Sequence, residues 1–155
     1  MQIHLIAIGQ RMPAWVNQGV DEFVKRMPPE CRIQVVEIPA SKRTKASDLN
    51  RLMHQEGEKM LAAIPKGAQV VAMDVKGKSW STEELSQQLD GWLQGGRNVA
   101  MLIGGPEGLA PACLEKADLH LSLSKMTLPH PLVRIMLAEQ LYRAVSILKH
   151  HPYHK

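Results

Sequence analysis

Cysteine occurs only twice in the 155 residues, at Cys31 and Cys113, and the two form no CxxC pair. They read as small buried hydrophobes, inert thiols in the reducing cytosol of a cytoplasmic protein. Aromatic residues are almost as scarce. Trp15, Phe23, Trp80, Trp92, Tyr142 and Tyr153 are the whole set, too few for a surface that binds nucleic acid by stacking bases on a row of rings. No apolar run approaches the roughly 20 residues of a membrane span, which excludes a membrane partner. The opening MQIHLIAIGQRMP has neither a basic leader nor a small-residue cleavage site, so no secretory signal is expected. Internal repeats and low-complexity linkers are absent too, and residues 1–155 read as one domain.

What is present is an apolar, mildly basic chain. Hydrophobic residues make up 45% and the net charge is +4, which favours an anionic partner without deciding for one. Short apolar runs alternate with longer helical patterns. Strands are expected over 3–9, 32–39, 68–75, 98–104 and 118–124. Helices are expected over 13–27, 48–64, 81–93, 111–117 and 131–150, with HPYHK as a loose tail. Ser81 followed by Glu84 forms a capping box, and Gly95-Gly96 stops that helix. Such alternation predicts an α/β fold, a mostly parallel sheet with helices on both faces. Ligands of such sheets bind beyond the carboxyl ends of the strands, where Met73-Asp74, Gly104-Gly105 and Ser122–Leu128 fall.

The run VAMLIGGPEGLAP (99–111) ends a core strand on three glycines and a proline. It lacks the Lys-Ser or Lys-Thr of a phosphate-binding P-loop, and its spacing is not GxGxxG. A glycine loop with so little charge suits a nucleoside or thioether better than a triphosphate; alternatively it is only a tight turn. The run LSLSKMTLPHPLVRIMLAEQLYRA (121–144) places Ser122, Ser124 and Thr127 in a loop stiffened by Pro129 and Pro131. Its backbone groups can read an adenine edge while Leu123, Met126 and Leu128 enclose the ring. An ordinary loop before a helix is the competing reading.

Together, IGGPEGL, LSLSKMTLPHPLVRIMLAEQLYRA and HPYHK resemble the RlmH (YbeA-like) family of ribosomal large-subunit pseudouridine N3-methyltransferases, within the SPOUT class. The resemblance runs from Met1 to Lys155 and takes in EIPASKRTKAS and MDVKGKSWS. It implies a homodimer with a C-terminal trefoil knot. It also implies methyl transfer from S-adenosylmethionine to N3 of a pseudouridine in 23S rRNA, with no metal. Cofactor contacts carried over position by position fall on Met73, Gly104, Leu123, Ser124, Lys125, Met126, Thr127 and Leu128. Met73 stands where relatives often carry Leu.

A pyrimidine N3 must lose its proton as the methyl arrives, so a base or a stabilising positive charge is required. Arg143 and His154 are the catalytic candidates, and His130 and Tyr153 the substrate-binding ones. Each has a plainer reading: Arg143 pairs with Glu139 one turn away, His130 caps a helix, and the tail histidines are solvated. No acidic or cysteine ligand accompanies those histidines, so no metal site is expected. Lys42, Arg43 and Lys45 are candidate contacts to RNA phosphates, or a solvated loop. A non-catalytic RNA-binding or ribosome-assembly protein of the same fold is the alternative function.

Overall fold

Val99 to Ile103 is buried at every position because the strand lies inside a sheet covered on both faces. A computed structural model describes residues 1–44 and 48–155 of the chain. Its strands are β1 (Gln2–Ile8), β2 (Arg32–Ile38), β3 (Gln69–Ser79), β4 (Val99–Ile103) and β5 (Leu119–Ser122). Its helices are α1 (Ala14–Val24), α2 (Leu49–Ala62), α3 (Thr82–Gly95), α4 (Pro111–Lys116) and α5 (His130–Leu148). A single 3-10 turn, Pro152–His154, follows α5.

The five strands run parallel in the order β2-β1-β4-β3-β5, so the sheet is wholly parallel. Side chains alternate across a strand. Ile3, Leu5, Val99, Met101 and Ile103 therefore share one core with Leu85 and Leu89 of α3 and Leu137 and Leu141 of α5. The intervening Ile6, Ile8, Ala100 and Leu102 join Met60 of α2 and Cys113 of α4 on the other face. Both cysteines are free and buried.

The capping box forms as expected: the Glu84 amide donates to Ser81 Oγ at 3.1 Å, and Gly96 ends α3 at φ 70°. Most boundaries fall within three residues of expectation, and two larger differences bear on the site. β3 runs on to Ser79 because, past Ala72, it leaves β4 and follows β5, with a register break between Met73 and Lys78. Gly77 permits that close approach, since a Cβ there would lie 2.7 Å from the backbone of His120 and Leu121. The tail is not loose. The Tyr153 hydroxyl donates to Glu139 Oε2 at 2.8 Å, and its ring packs 4.7 Å from that of Tyr142.

Candidate active-site cleft

At the carboxyl ends of β4 and β5 lies a cleft of about 780 Å³. Three segments build it: Met73–Lys76 within β3, where that strand has parted from β4, Gly104–Leu109 after β4, and the stretch from Leu121 in β5 to His130 at the start of α5. Ile103, Leu121 and Val133 make part of its wall apolar, while Asp74, Ser124 and Thr127 make part of it polar.

The two serines of the third segment brace it from within. Ser122 Oγ donates to the Ser124 carbonyl at 2.8 Å, and the Met126 amide donates to Ser124 Oγ at 3.0 Å. Among the described residues, none of the backbone hydrogen bonds outside the helices and strands involves Leu123, Thr127 or Leu128. Met126 is 77% exposed, an unusual position for so apolar a side chain.

Gly104 plays a part different from the one its sequence context implies. A Cβ at Gly104 would lie 2.4 Å from the carbonyl carbon of Gly108, so the glycine lets the loop fold back on itself. Its own backbone, before any ligand, requires the missing side chain.

Most sequence-selected residues meet here. Met73, Gly104, Leu123, Ser124, Met126, Thr127, Leu128 and His130 all line the cleft, whereas Lys125, in the same loop, does not. Arg43 is engaged elsewhere. Its guanidinium bonds Glu56 on α2 at 2.9 and 3.1 Å and Glu107 of the glycine loop at 2.9 Å, which takes its charge out of the free surface. Lys42 is exposed, and Lys45 lies outside the described residues.

Arg143, Tyr153 and His154 do not line this cleft. α5 begins at its rim with His130 and carries Arg143 about 20 Å away along the helix axis. At that far end Arg143 bonds Glu139 at 2.7 and 2.9 Å and lies 4.8 Å over the Tyr153 ring. Burial and the Glu139 carboxylate push the Tyr153 phenol above its ordinary pKa, so it is a donor and not a base. His154 Nδ1 is buried with no hydrogen-bond partner among the described residues.

Sequence reasoning passed over Arg134. It is 3% exposed, and its guanidinium joins His130, Glu37 and the Gly9 carbonyl. Its place four residues after His130 is the one sequence signal that points to it. Among the described residues no cluster of His, Cys, Asp and Glu is arranged to hold a metal, and no helix is long and apolar enough to cross a membrane.

Residues 1–154 match the family model described as "Predicted SPOUT methyltransferase". The chain is 58% identical over 155 residues to the "Ribosomal RNA large subunit methyltransferase H" of Thioalkalivibrio sulfidiphilus, covering 100% of this chain and 99% of that one. It is 50% identical to the protein of that name from Methylococcus capsulatus, covering 100% of both. Among solved structures, "a probable methylase family protein" from Haemophilus influenzae aligns with a TM-score of 0.60 at 12% identity, covering 99% of this chain and 70% of that one. That last likeness concerns the fold alone.

Proposed function

This chain belongs to the SPOUT methyltransferase family, and from that premise we propose that it methylates ribosomal RNA of the large subunit. The finer reading is transfer of a methyl group from S-adenosylmethionine to N3 of a pseudouridine in 23S rRNA, in the cytoplasm, by a homodimer. The observation that carries it is the cleft itself. Its volume of about 780 Å³ and its partly apolar, partly polar wall suit a nucleoside joined to an amino acid.

S-adenosylmethionine supplies an electrophilic methyl group on a sulfonium. The chain's residues then have to bind and orient the two reactants. Leu123, Thr127 and Leu128 would hold the adenine through their backbone groups, and the side chains of Leu123, Met126 and Leu128 would enclose it. Asp74 places a carboxylate in the wall, which favours a cationic ligand and disfavours a polyphosphate. The acceptor N3 must lie in line with the methyl group and release its proton to water as the bond forms.

Within one chain, Arg143, Tyr153 and His154 are too far along α5 to handle an acceptor in this cleft. We assign them to the cleft of a second copy. Exposed apolar side chains on α1 (Trp15), β2 (Val35) and α5 (Leu132, Met136) support self-association. The trefoil knot belongs to the same reading of the family.

Two measurements test this. Calorimetry should show one S-adenosylmethionine bound per chain. Mass analysis of 23S rRNA from cells lacking the protein should show one methyl group missing from one pseudouridine. No binding and an unchanged RNA would favour the non-catalytic alternative, an RNA-binding protein that keeps the fold and has lost the cofactor. Binding with an unchanged RNA would remove the assigned acceptor.

A further inference from the structure

His130 is the first residue of α5 and lines the cleft, yet the ordinary roles of an active-site histidine are closed to it. Arg134 Nε donates to His130 Nε2 at 2.8 Å. An arginine Nε always carries its hydrogen, so His130 Nε2 must be the unprotonated, accepting nitrogen. The neutral ring therefore carries its single proton on Nδ1.

Arg134 cannot swing away from this duty. Its Nη1 bonds Glu37 Oε2 on β2 at 2.6 Å, and its Nη2 bonds the Gly9 carbonyl just past β1 at 2.8 Å. Gly9 sits at φ 116°, a conformation that glycine adopts freely, and it brings that carbonyl into reach. One buried guanidinium thus ties the first turn of α5 to the ends of two strands. His130 Nδ1 itself bonds nothing among the described residues and is not among the buried polar atoms that lack a partner. It is open to whatever occupies the cleft.

We propose that Arg134 is a positioning residue that fixes His130 as a neutral Nδ1–H donor, and that this donor serves a carbonyl oxygen beside the acceptor nitrogen of the pyrimidine. The proposal rests on the methyl-transfer reading of the cleft. N3 of a uracil-type ring lies between two carbonyl groups, and loss of its proton spreads negative charge onto their oxygens. A preorganised donor aimed at such an oxygen lowers the barrier where the charge develops. A neutral donor also adds no positive charge beside a sulfonium.

The groups around the ring favour this state. Burial and the Arg134 charge lower the His130 pKa from 6.5 to about 4, against the weaker opposing pull of Glu37. The start of α5 adds its own positive end of the helix dipole. Asp74, Lys76 and Glu107 are the other charged groups lining the cleft. His130 is accordingly neither the base that takes the N3 proton nor a cation.

The first test needs no variant. In the 15N-labelled full-length protein, long-range proton–nitrogen spectra should show His130 protonated on Nδ1 and unprotonated on Nε2 from pH 8 down to pH 5. Assignment follows from the peak lost in His130→Asn. A proton on Nε2, or a titration near pH 6.5, overturns the proposal. Arg134→Gln should move His130 toward mixed tautomers and raise its midpoint, though not to 6.5, because burial, the larger cause, remains. Should that variant not fold, the wild-type tautomer and its pH range decide the point by themselves.

The second test is kinetic. Asparagine sets an amide nitrogen near the place of Nδ1, and glutamine sets one near Nε2. In single-turnover methyl transfer to ribosomes lacking the modification, His130→Gln should be slower by roughly a hundredfold or more, and His130→Asn by no more than about tenfold. Both should bind S-adenosylmethionine like the wild type in calorimetry. Wild-type rates in His130→Gln overturn the donor role. A loss of S-adenosylmethionine affinity that accounts for the slower rate also overturns it, because the contact then belongs to the methyl donor. Absence of S-adenosylmethionine binding in the wild type overturns the whole reading of the cleft, an outcome the tautomer spectra would distinguish.

Discussion

Gly104 and His130 show how much one atom matters at the rim of this cleft. A methyl group on Gly104 would press into the Gly108 backbone at 2.4 Å, and neither strand end can move far. Gly104→Ala should lower stability by about 1–3 kcal/mol, the usual cost of overpacking, and weaken S-adenosylmethionine binding through the displaced loop. A denaturant midpoint equal to wild type would show that the loop relaxes freely. His130 makes a prediction about pH. Its pKa falls from 6.5 to about 4, through burial first and then the Arg134 charge. The unfolded chain therefore takes up the proton first as pH falls. The neutral ring's contribution is complete above about 6.5 and shrinks steadily toward pH 4. The melting temperature of wild type should drop over that window more steeply than that of His130→Asn. Equal slopes would mean that the ring titrates as freely as in the unfolded chain.

At the scale of elements, the connection between β2 and α2 is strapped to the glycine loop by one guanidinium. Arg43 bonds Glu56, which is buried, and Glu107, which lines the cleft, and the Ser41 amide donates to Glu56 at 2.8 Å. Removing the cation leaves a buried carboxylate unpaired. Arg43→Ala should cost about 3 kcal/mol, at the low end for a broken buried pair because Arg43 is itself partly exposed. The neighbouring Lys42→Ala, at an exposed site, should stay within about 0.5 kcal/mol. Urea unfolding distinguishes the two. If Arg43→Ala unfolds like wild type while ribosome binding loses salt dependence, Arg43 is a phosphate contact after all and the strap is incidental. The 3-10 turn after α5 is a second small element held by specific bonds. Glu139 receives both Arg143 and the Tyr153 hydroxyl, so the turn is docked before any RNA arrives.

For the whole molecule, the length of α5 sets the problem. It joins a cleft at one end to a cluster of Arg143, Tyr153 and His154 at the other, about 20 Å of helix apart. Two copies side by side can bring one chain's cluster to the other's cleft. Deleting Pro152–Lys155 should then abolish methyl transfer and spare S-adenosylmethionine binding. Thr127→Trp, which fills the cleft from an exposed position, should abolish S-adenosylmethionine binding and methyl transfer together while leaving its own tail intact. A mixed dimer of the two variants should regain up to about half of the wild-type activity, because one cleft and one tail remain intact in the right combination. Inactive mixed dimers, with both parents folded and dimeric, would place the tail's action in its own chain.

Much of this was determined by the sequence alone. The two-faced burial of VAMLI, the capping box at Ser81 and the alternation of runs specify strands, a helix start and an α/β sheet, because each depends on neighbours within a few positions. The gathering of Gly104, Leu123, Ser124 and residues 126–128 was legible for a related reason: strand exits of a parallel sheet open on the same edge, and Met73 joins them from within β3, where it parts from β4. The extension of β3 to Ser79 was not, since Lys78 and Ser79 find partners only when Leu121 and Ser122 of β5 lie beside them. Only the tertiary structure could decide the neutral state of His130, whose guanidinium neighbour is held by Glu37 and Gly9 from 97 and 125 positions away. Charge and tautomer depend on what surrounds a ring in space, and that is settled when the strands and α5 come together.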